Sequence, residues 1–327
     1  MQKTKFIRQN VFPVLAAFIW GTAFVAQSVS TDFVQPFTFN AARFFVAFVF
    51  TLGLAVLFRI RRKRDFDQQA KPRPHYRRAL LLSGVCCGAA LTLGTNLQQM
   101  GLETTTSGKA GFITALYIVI VPILGIFLKK KVGKAIWASV ALAVAGLYFL
   151  CIRGGFAISE GDFLIFLCSL CFSVHILMID HFTEKVDGVE LSCAQFLVGA
   201  VFSAVGMLAA EQPSWEALQA CIWPILYVGV FSSGVAYTLQ ILAQRDSNPT
   251  VVSLLLSLEA VFAVLAGALL LGDRMSGREY FGCALMLTAV VLAQIPWQAR
   301  KPLPVEDADK AAALPAEETE QSPSQND

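Results

Sequence analysis

Apolar residues in this chain come in long unbroken runs, unlike the one-sided stripe of a soluble helix or the alternation of a half-buried strand. Ten runs fall at about residues 11–30, 36–58, 79–100, 108–128, 134–152, 161–181, 191–210, 221–243, 250–271 and 278–297. Each is close to the roughly 20 helical residues that cross a bilayer core about 30 Å thick. Short polar, Gly or Pro breaks separate them. The pattern predicts an all-α polytopic membrane protein with ten transmembrane helices. The first run follows Lys3, Lys5 and Arg8 as a secretory signal would. It continues past Trp20 without a small-residue cleavage site, so it reads as a retained first helix.

Composition agrees. Of 327 residues 56% are apolar and 15% charged, with a mean hydropathy of +0.60, where a soluble domain carries about a quarter charged residues. The 26 Lys and Arg residues set the orientation, because cytoplasmic loops collect them. With both termini cytoplasmic, about 21 lie inside, chiefly Lys3 to Arg8, Arg59 to Arg78 and Lys129 to Lys134. Lys109, Arg153, Arg274 and Arg278 fall outside, and Arg43 falls within a span. This places a multi-pass protein in the plasma membrane, the bacterial inner membrane, with the lipid bilayer as its surroundings. The net charge of +3 comes from those clusters, and no helix-turn-helix, zinc-finger or aromatic-basic pattern accompanies it, so nucleic acid is set aside. Residues 298–327 are rich in Pro, Ala, Glu, Ser and Gln and read as a disordered cytoplasmic tail.

The loops are too short for a soluble catalytic domain, so function resides in the membrane. Seven of the eight cysteines sit in or beside apolar spans and Cys151 ends one, which argues against a disulfide framework. Cys168 and Cys171 form a CxxC without the other ligands of a zinc site or the setting of a redox motif, and read as small packing residues. Gly101 through Gly108-Lys109-Ala110 is not a phosphate loop: the spacing between glycines is wrong and Ala110 replaces the required hydroxyl.

A weak internal repeat is visible. Leu97-Gln98-Gln99, Ser107 and the run from Ala110 to Leu128 are matched, about 140 residues later, by Leu239-Gln240, Ser247 and the run from Val251 to Leu271. The expected halves are 11–152 and 153–297, after a cytoplasmic N-terminus of 1–10. Five helices per half is odd, so the second copy enters the membrane upside down and a site forms between the halves.

Several stretches carry a family resemblance across about Phe12 to Pro296: Trp20-Gly21-Thr22-Ala23-Phe24, Pro36 with Arg43, Leu97 to Leu102 leading into Thr104 to Ala110, Pro122, Ser257-Leu258-Glu259, and Leu270-Leu271-Gly272-Asp273. In this order they resemble the EamA-type transporters of the drug/metabolite transporter superfamily. The chain departs from that pattern at Ala260, where the family has Pro, at Asp273, which stands for Glu, and at Lys129 to Lys131, where the acidic residue after helix four is absent. The resemblance implies two inverted five-helix repeats and secondary export of small metabolites, often amino acids, or of toxic compounds.

Glu259 falls near mid-bilayer, where a carboxylate costs about 2.5–3.5 kcal/mol on insertion scales. It reads either as a carboxylate coupled to a proton or substrate, or as a structural group bonded between helices. Arg43, seven residues into its span, is placed to snorkel to the outer surface or to pack between helices, with substrate contact the other reading. Trp20 and Gly21 serve either a pathway or helix packing. Gln27, Asn96, Gln98, Gln99, Tyr117, Gln240 and Gln244 need partners in lipid; Gln98 and Gln240, related by the repeat, are favoured for the cavity. Lys109 either attracts an anionic group or anchors the interface. His175, Asp180 and His181 lack metal-ligand spacing, and no cofactor or metal is expected. The leading reading is a secondary transporter working by alternating access on a small-molecule substrate, with the proton as candidate coupling ion. The alternatives are an integral-membrane enzyme acting on a lipid-soluble substrate, for which no paired acids or nucleophile with its base is seen, and a passive channel.

Overall fold

A computed structural model describes residues 6–65, 75–129, 132–151, 159–245, 247–270 and 276–294. A helix occurs at each of the ten apolar runs, and no strand occurs among the described residues. The helices are α1 (Ile7–Ser30), α2 (Pro36–Asp65), α3 (Tyr76–Leu102), α4 (Ser107–Phe127), α5 (Lys134–Cys151), α6 (Glu160–Phe182), α7 (Gly188–Ala210), α8 (Ile222–Gln244), α9 (Pro249–Leu270) and α10 (Gly277–Gln294). Eight are long and apolar enough to cross a membrane; α5 and α10 are shorter, with 18 residues each. The Leu271 to Asp273 motif, Lys130 and Lys131, Arg153, Arg274 and the 298–327 tail lie outside the described residues.

Local chemistry sets the helix starts. Pro36 and Pro249 open α2 and α9, where a missing N–H costs nothing. The Asn248 side chain accepts from Thr250 N at 2.9 Å. Ser159 and Asp162 form a reciprocal capping box on α6. Glu211, leaving α7, accepts from Phe37 N, Thr38 N and Thr38 Oγ1 at 2.7–2.8 Å, which places a carboxylate on the positive end of α2. Pro13 near the start of α1 follows a wide π turn, Ile7–Val11, closed by Phe12 N on the Ile7 carbonyl.

The outside of the bundle is apolar: Phe127, Leu269, Leu208 and Phe45 are all exposed. Such a surface fits hydrocarbon and is foreign to a soluble monomer. Trp215 and Trp223 stand exposed beside the α7–α8 connection, as interfacial aromatics do. Inside, α2 packs on α7 and α8, α3 on α6 and α7, α1 on α8 and α9, α4 on α6 and α9, and α5 on α10. Small residues permit the closest approaches. A Cβ on Gly88 would lie 2.7 Å from Val198 Cβ of α7.

Candidate functional site

Two helices are broken at matching places. In α4 the ladder tightens at Ala115–Leu116, with Leu116 N bonding Ile113 O at 3.2 Å and Ile118 N bonding Ala115 O at 3.0 Å. In α9 it tightens at Ser257–Leu258, with Leu258 N on Leu255 O at 3.3 Å and Ala260 N on Ser257 O at 3.2 Å. The residues that begin the second segments are Tyr117 and Glu259. They are 142 residues apart, as are Gln98 and Gln240. In α8, Val228–Tyr237 is wound as a π-helix, a form concentrated at functional sites.

Residues of these irregular segments meet around one cavity. The empty space among its lining atoms, solvent-open space included, is about 480 Å³. Trp20, Phe24 and Gln27 enter from α1, Arg43 from α2, and Gln98 from α3. Thr114 and Tyr117 come from α4, and Phe172, His175 and Ile176 from α6. Ser232, Tyr237 and Gln240 of α8, with Leu256 and Glu259 of α9, complete the wall.

Several lining groups are held in place. Trp20 Nε1 donates to the Ser232 carbonyl at 3.0 Å, an acceptor within the π-helical stretch, and its indole lies 4.7 Å from the Tyr237 ring. Gln98 Nε2 donates to Thr114 Oγ1 at 3.1 Å. His175 Nε2 meets Gln195 Oε1 at 3.0 Å. Arg43 is only 2% exposed; its Nη1 donates to Gln27 Oε1 at 2.7 Å and the guanidinium lies 5.0 Å from the Phe44 ring centre.

Other polar atoms are left over. Arg43 Nε, Gln240 Oε1 and Glu259 Oε1 are buried with no hydrogen-bond partner among the described residues. The Tyr117 hydroxyl faces the Glu259 carboxyl, near enough to interact, yet neither it nor Oε1 meets a hydrogen bond of good geometry. Buried polar groups in native structures are nearly always paired, so this cluster has the makings of a ligand site.

Trp20, Arg43, Gln98, Tyr117, Gln240 and Glu259 thus come together, while Gly21 and Lys109 do not reach the cavity. Gly21 lies against the backbone of α9, where a Cβ would come within 2.8 Å of Glu259 O, a close helix contact. Lys109 is paired with Asp162 at the end of the bundle, where Thr105 Oγ1 also donates to the same carboxylate at 3.0 Å. Arg43 does not snorkel to the surface: its neighbours enclose it and the cavity receives it. No Arg43–Glu259 ion pair forms. Asn96, Gln99 and Gln244 serve helix packing, through Asn40, Ser30 and the Ile176 carbonyl respectively. Thr114, Phe172 and Tyr237 were missed by the sequence reading. Each sits one helical turn from a polar lining residue (Tyr117, His175 and Gln240), and that spacing is the signal that could have found them.

Among the described residues no group of three or more His, Cys, Asp or Glu is placed to hold a metal, and seven cysteines are free thiols.

Known proteins resemble this chain along most of its length. An uncharacterized transporter of Archaeoglobus fulgidus is 32% identical over 286 residues, covering 86% of this chain and 84% of its own. The threonine/homoserine exporter RhtA of Salmonella typhimurium is 24% identical over 177 residues, 50% of this chain and 55% of its own. A solved crystal structure at 18% identity superposes with a TM-score of 0.70 over 88% of this chain and 96% of that one, a likeness of fold. The model of the EamA-like transporter family matches residues 9–152 and again 159–294. Two copies of the family's unit therefore account for nearly all of the described helices, and the chain belongs to the EamA-like transporter family.

Proposed function

We propose that this transporter is a secondary active exporter of a small metabolite, an amino acid or a related compound. It sits in the bacterial inner membrane with both termini cytoplasmic. Its halves, 11–152 and 153–297, are inverted repeats that expose the cavity to each side in turn. The observation that carries this reading is Glu259, buried in the cavity wall with one carboxylate oxygen unpaired. An ionised carboxylate in so dry a place is costly without a counter-charge. Two ligands relieve that cost, a proton or the ammonium group of a solute, and they compete for the same oxygens. Solute leaving and proton entering by turns would then be coupled without ATP. The relative named as a threonine/homoserine exporter supports the amino-acid class.

The test compares metabolites in the medium of cells overproducing the wild type or Glu259→Gln, followed by counterflow in proteoliposomes. One or a few solutes should accumulate outside only with the wild type, and counterflow should saturate. Wild-type export by the variant would remove Glu259 from the coupling step, and flux that never saturates would point to a channel.

A further inference from the structure

Arg43 is the least explained group in the molecule. It is 2% exposed, borders the cavity and holds a full charge in the middle of an apolar bundle. Its recorded partners are the neutral Gln27 Oε1 and the faces of Phe39 and Phe44, at 5.8 and 5.0 Å from the ring centres. Among the described residues no carboxylate pairs with it and Nε has no acceptor. A structural arginine at such depth would be expected to meet an acid or several carbonyls. Here Nη1 is given to one amide and Nε to nothing, on a planar fork suited to carboxylate and carried by a residue that lines the cavity.

We infer that Arg43 is the anion-anchoring residue of the transport site, and that the solutes it selects carry a carboxylate. The inference rests on the exporter reading and sharpens it. Gln27 Oε1 holds one edge of the guanidinium at 2.7 Å, before any ligand arrives, and Gln99 Nε2 bonds the Gln27 backbone carbonyl at 3.1 Å, tying α3 to α1 at that residue. Phe39 and Phe44 flank the cation and keep water away, which strengthens a charge-assisted bond to an entering carboxylate. Glu259 lies on another wall of the same cavity. A solute with a carboxylate and an amine would satisfy both charges at once, whereas the corresponding amine lacking the carboxylate would leave Arg43 unpaired. A site built to bond a polar group discriminates strongly against an analogue that lacks it.

The test uses purified full-length protein in detergent. Thermal stabilisation is measured with each of the twenty proteinogenic amino acids and with the matching amine or carboxamide of every one that stabilises. At least one amino acid should stabilise the wild type, with its carboxylate-free analogue at least about tenfold weaker, a difference of 1.4 kcal/mol. Arg43→Gln should abolish the preference and Arg43→Lys should restore part of it. The comparison of acid with amine on the wild type stands even if the variants fail to fold. Equal stabilisation by amines and acids, or by none of the twenty, overturns the assignment. If the cell experiment yields an exported solute without a carboxylate, the exporter reading survives and the role of Arg43 falls. If the acid preference holds but no solute crosses proteoliposomes, Arg43 keeps its ligand and the exporter reading falls.

Discussion

Gly21 offers the sharpest test of how the cavity is held, because one methyl group placed there has nowhere to go. A Cβ would lie 2.4 Å from Phe262 Cβ, 2.7 Å from Ala263 N and 2.8 Å from Glu259 O, whereas ordinary contacts begin at 3.4 Å. Two of those three atoms are backbone, so relief requires α1 and α9 to part by up to about 1 Å rather than a side chain to turn. Overpacking costs about 1–3 kcal/mol, and a rigid obstacle puts this site near the upper figure. Replacing Gly by Ala in a helix returns about 1 kcal/mol. The net destabilisation of Gly21→Ala is therefore about 2 kcal/mol, or a midpoint lower by about 3 °C for a chain of 327 residues. Gly53→Ala is the control: nothing lies within 4 Å of its would-be Cβ, so it should gain the propensity term and melt slightly higher. The assay is fluorescence-monitored unfolding of the detergent-purified variants, paired with counterflow. Since Glu259 O is among the atoms displaced, Gly21→Ala should also slow transport. A Gly21→Ala protein that melts and transports like the wild type would refute the packing argument.

Two further outcomes concern the ends of the bundle. Tyr76 Oη donates to Glu190 Oε2 at 2.6 Å and accepts from Asp187 N at 3.1 Å, joining the start of α3 to the start of α7; Tyr76→Phe should cost about 1–2 kcal/mol, read as a lower unfolding midpoint. Glu103, exposed in the α3–α4 connection, has its carboxyl pushed above the usual range by partial burial and then by Glu211 nearby. Its ionised form is thus the disfavoured one in the folded protein, a penalty present above the raised value and lost as pH falls to the ordinary glutamate range. Glu103→Gln should accordingly melt higher than the wild type at neutral pH, with the gap closing on acidification; a gap that widens in acid would contradict this.

The ten helices were legible because a bilayer demands long apolar runs and the chain supplies them with clear punctuation. The depth of Glu259 followed from counting residues along its run. The fate of Arg43 did not, because a long side chain at that depth reaches either the surface or the interior, and only the placement of Phe39, Phe44 and Gln27 decides which. The breaks in α4 and α9 left no mark either. Neither Ala115–Leu116 nor Ser257–Leu258 contains Gly or Pro, and Pro122 lies within the second segment of α4; at the α9 break Ser257 Oγ donates to the Leu254 carbonyl at 2.7 Å. The π-helical stretch of α8 has a faint signature in Ser232-Ser233-Gly234, the sort of polar and small cluster at which helices depart from regularity. Lys109 was ambiguous for a related reason: its partner Asp162 is 53 residues away, and no periodicity connects them.

Arg43 and Glu259 share one cavity without pairing, which makes the proposed exchange cycle sensitive to membrane voltage. Arginine keeps its proton at physiological pH, so the cavity's fixed charge depends on Glu259 and on the occupant. With Glu259 ionised and a zwitterion bound, the charges cancel and the loaded protein turns without moving net charge. With a proton alone on Glu259, one positive charge remains and travels with the returning cavity. Carrying an elementary charge through the whole field is worth about 2.3 kcal/mol per 100 mV. An interior-negative membrane would then hasten the return step and leave the export step untouched, so solute efflux would register as an inward current whose size follows the voltage.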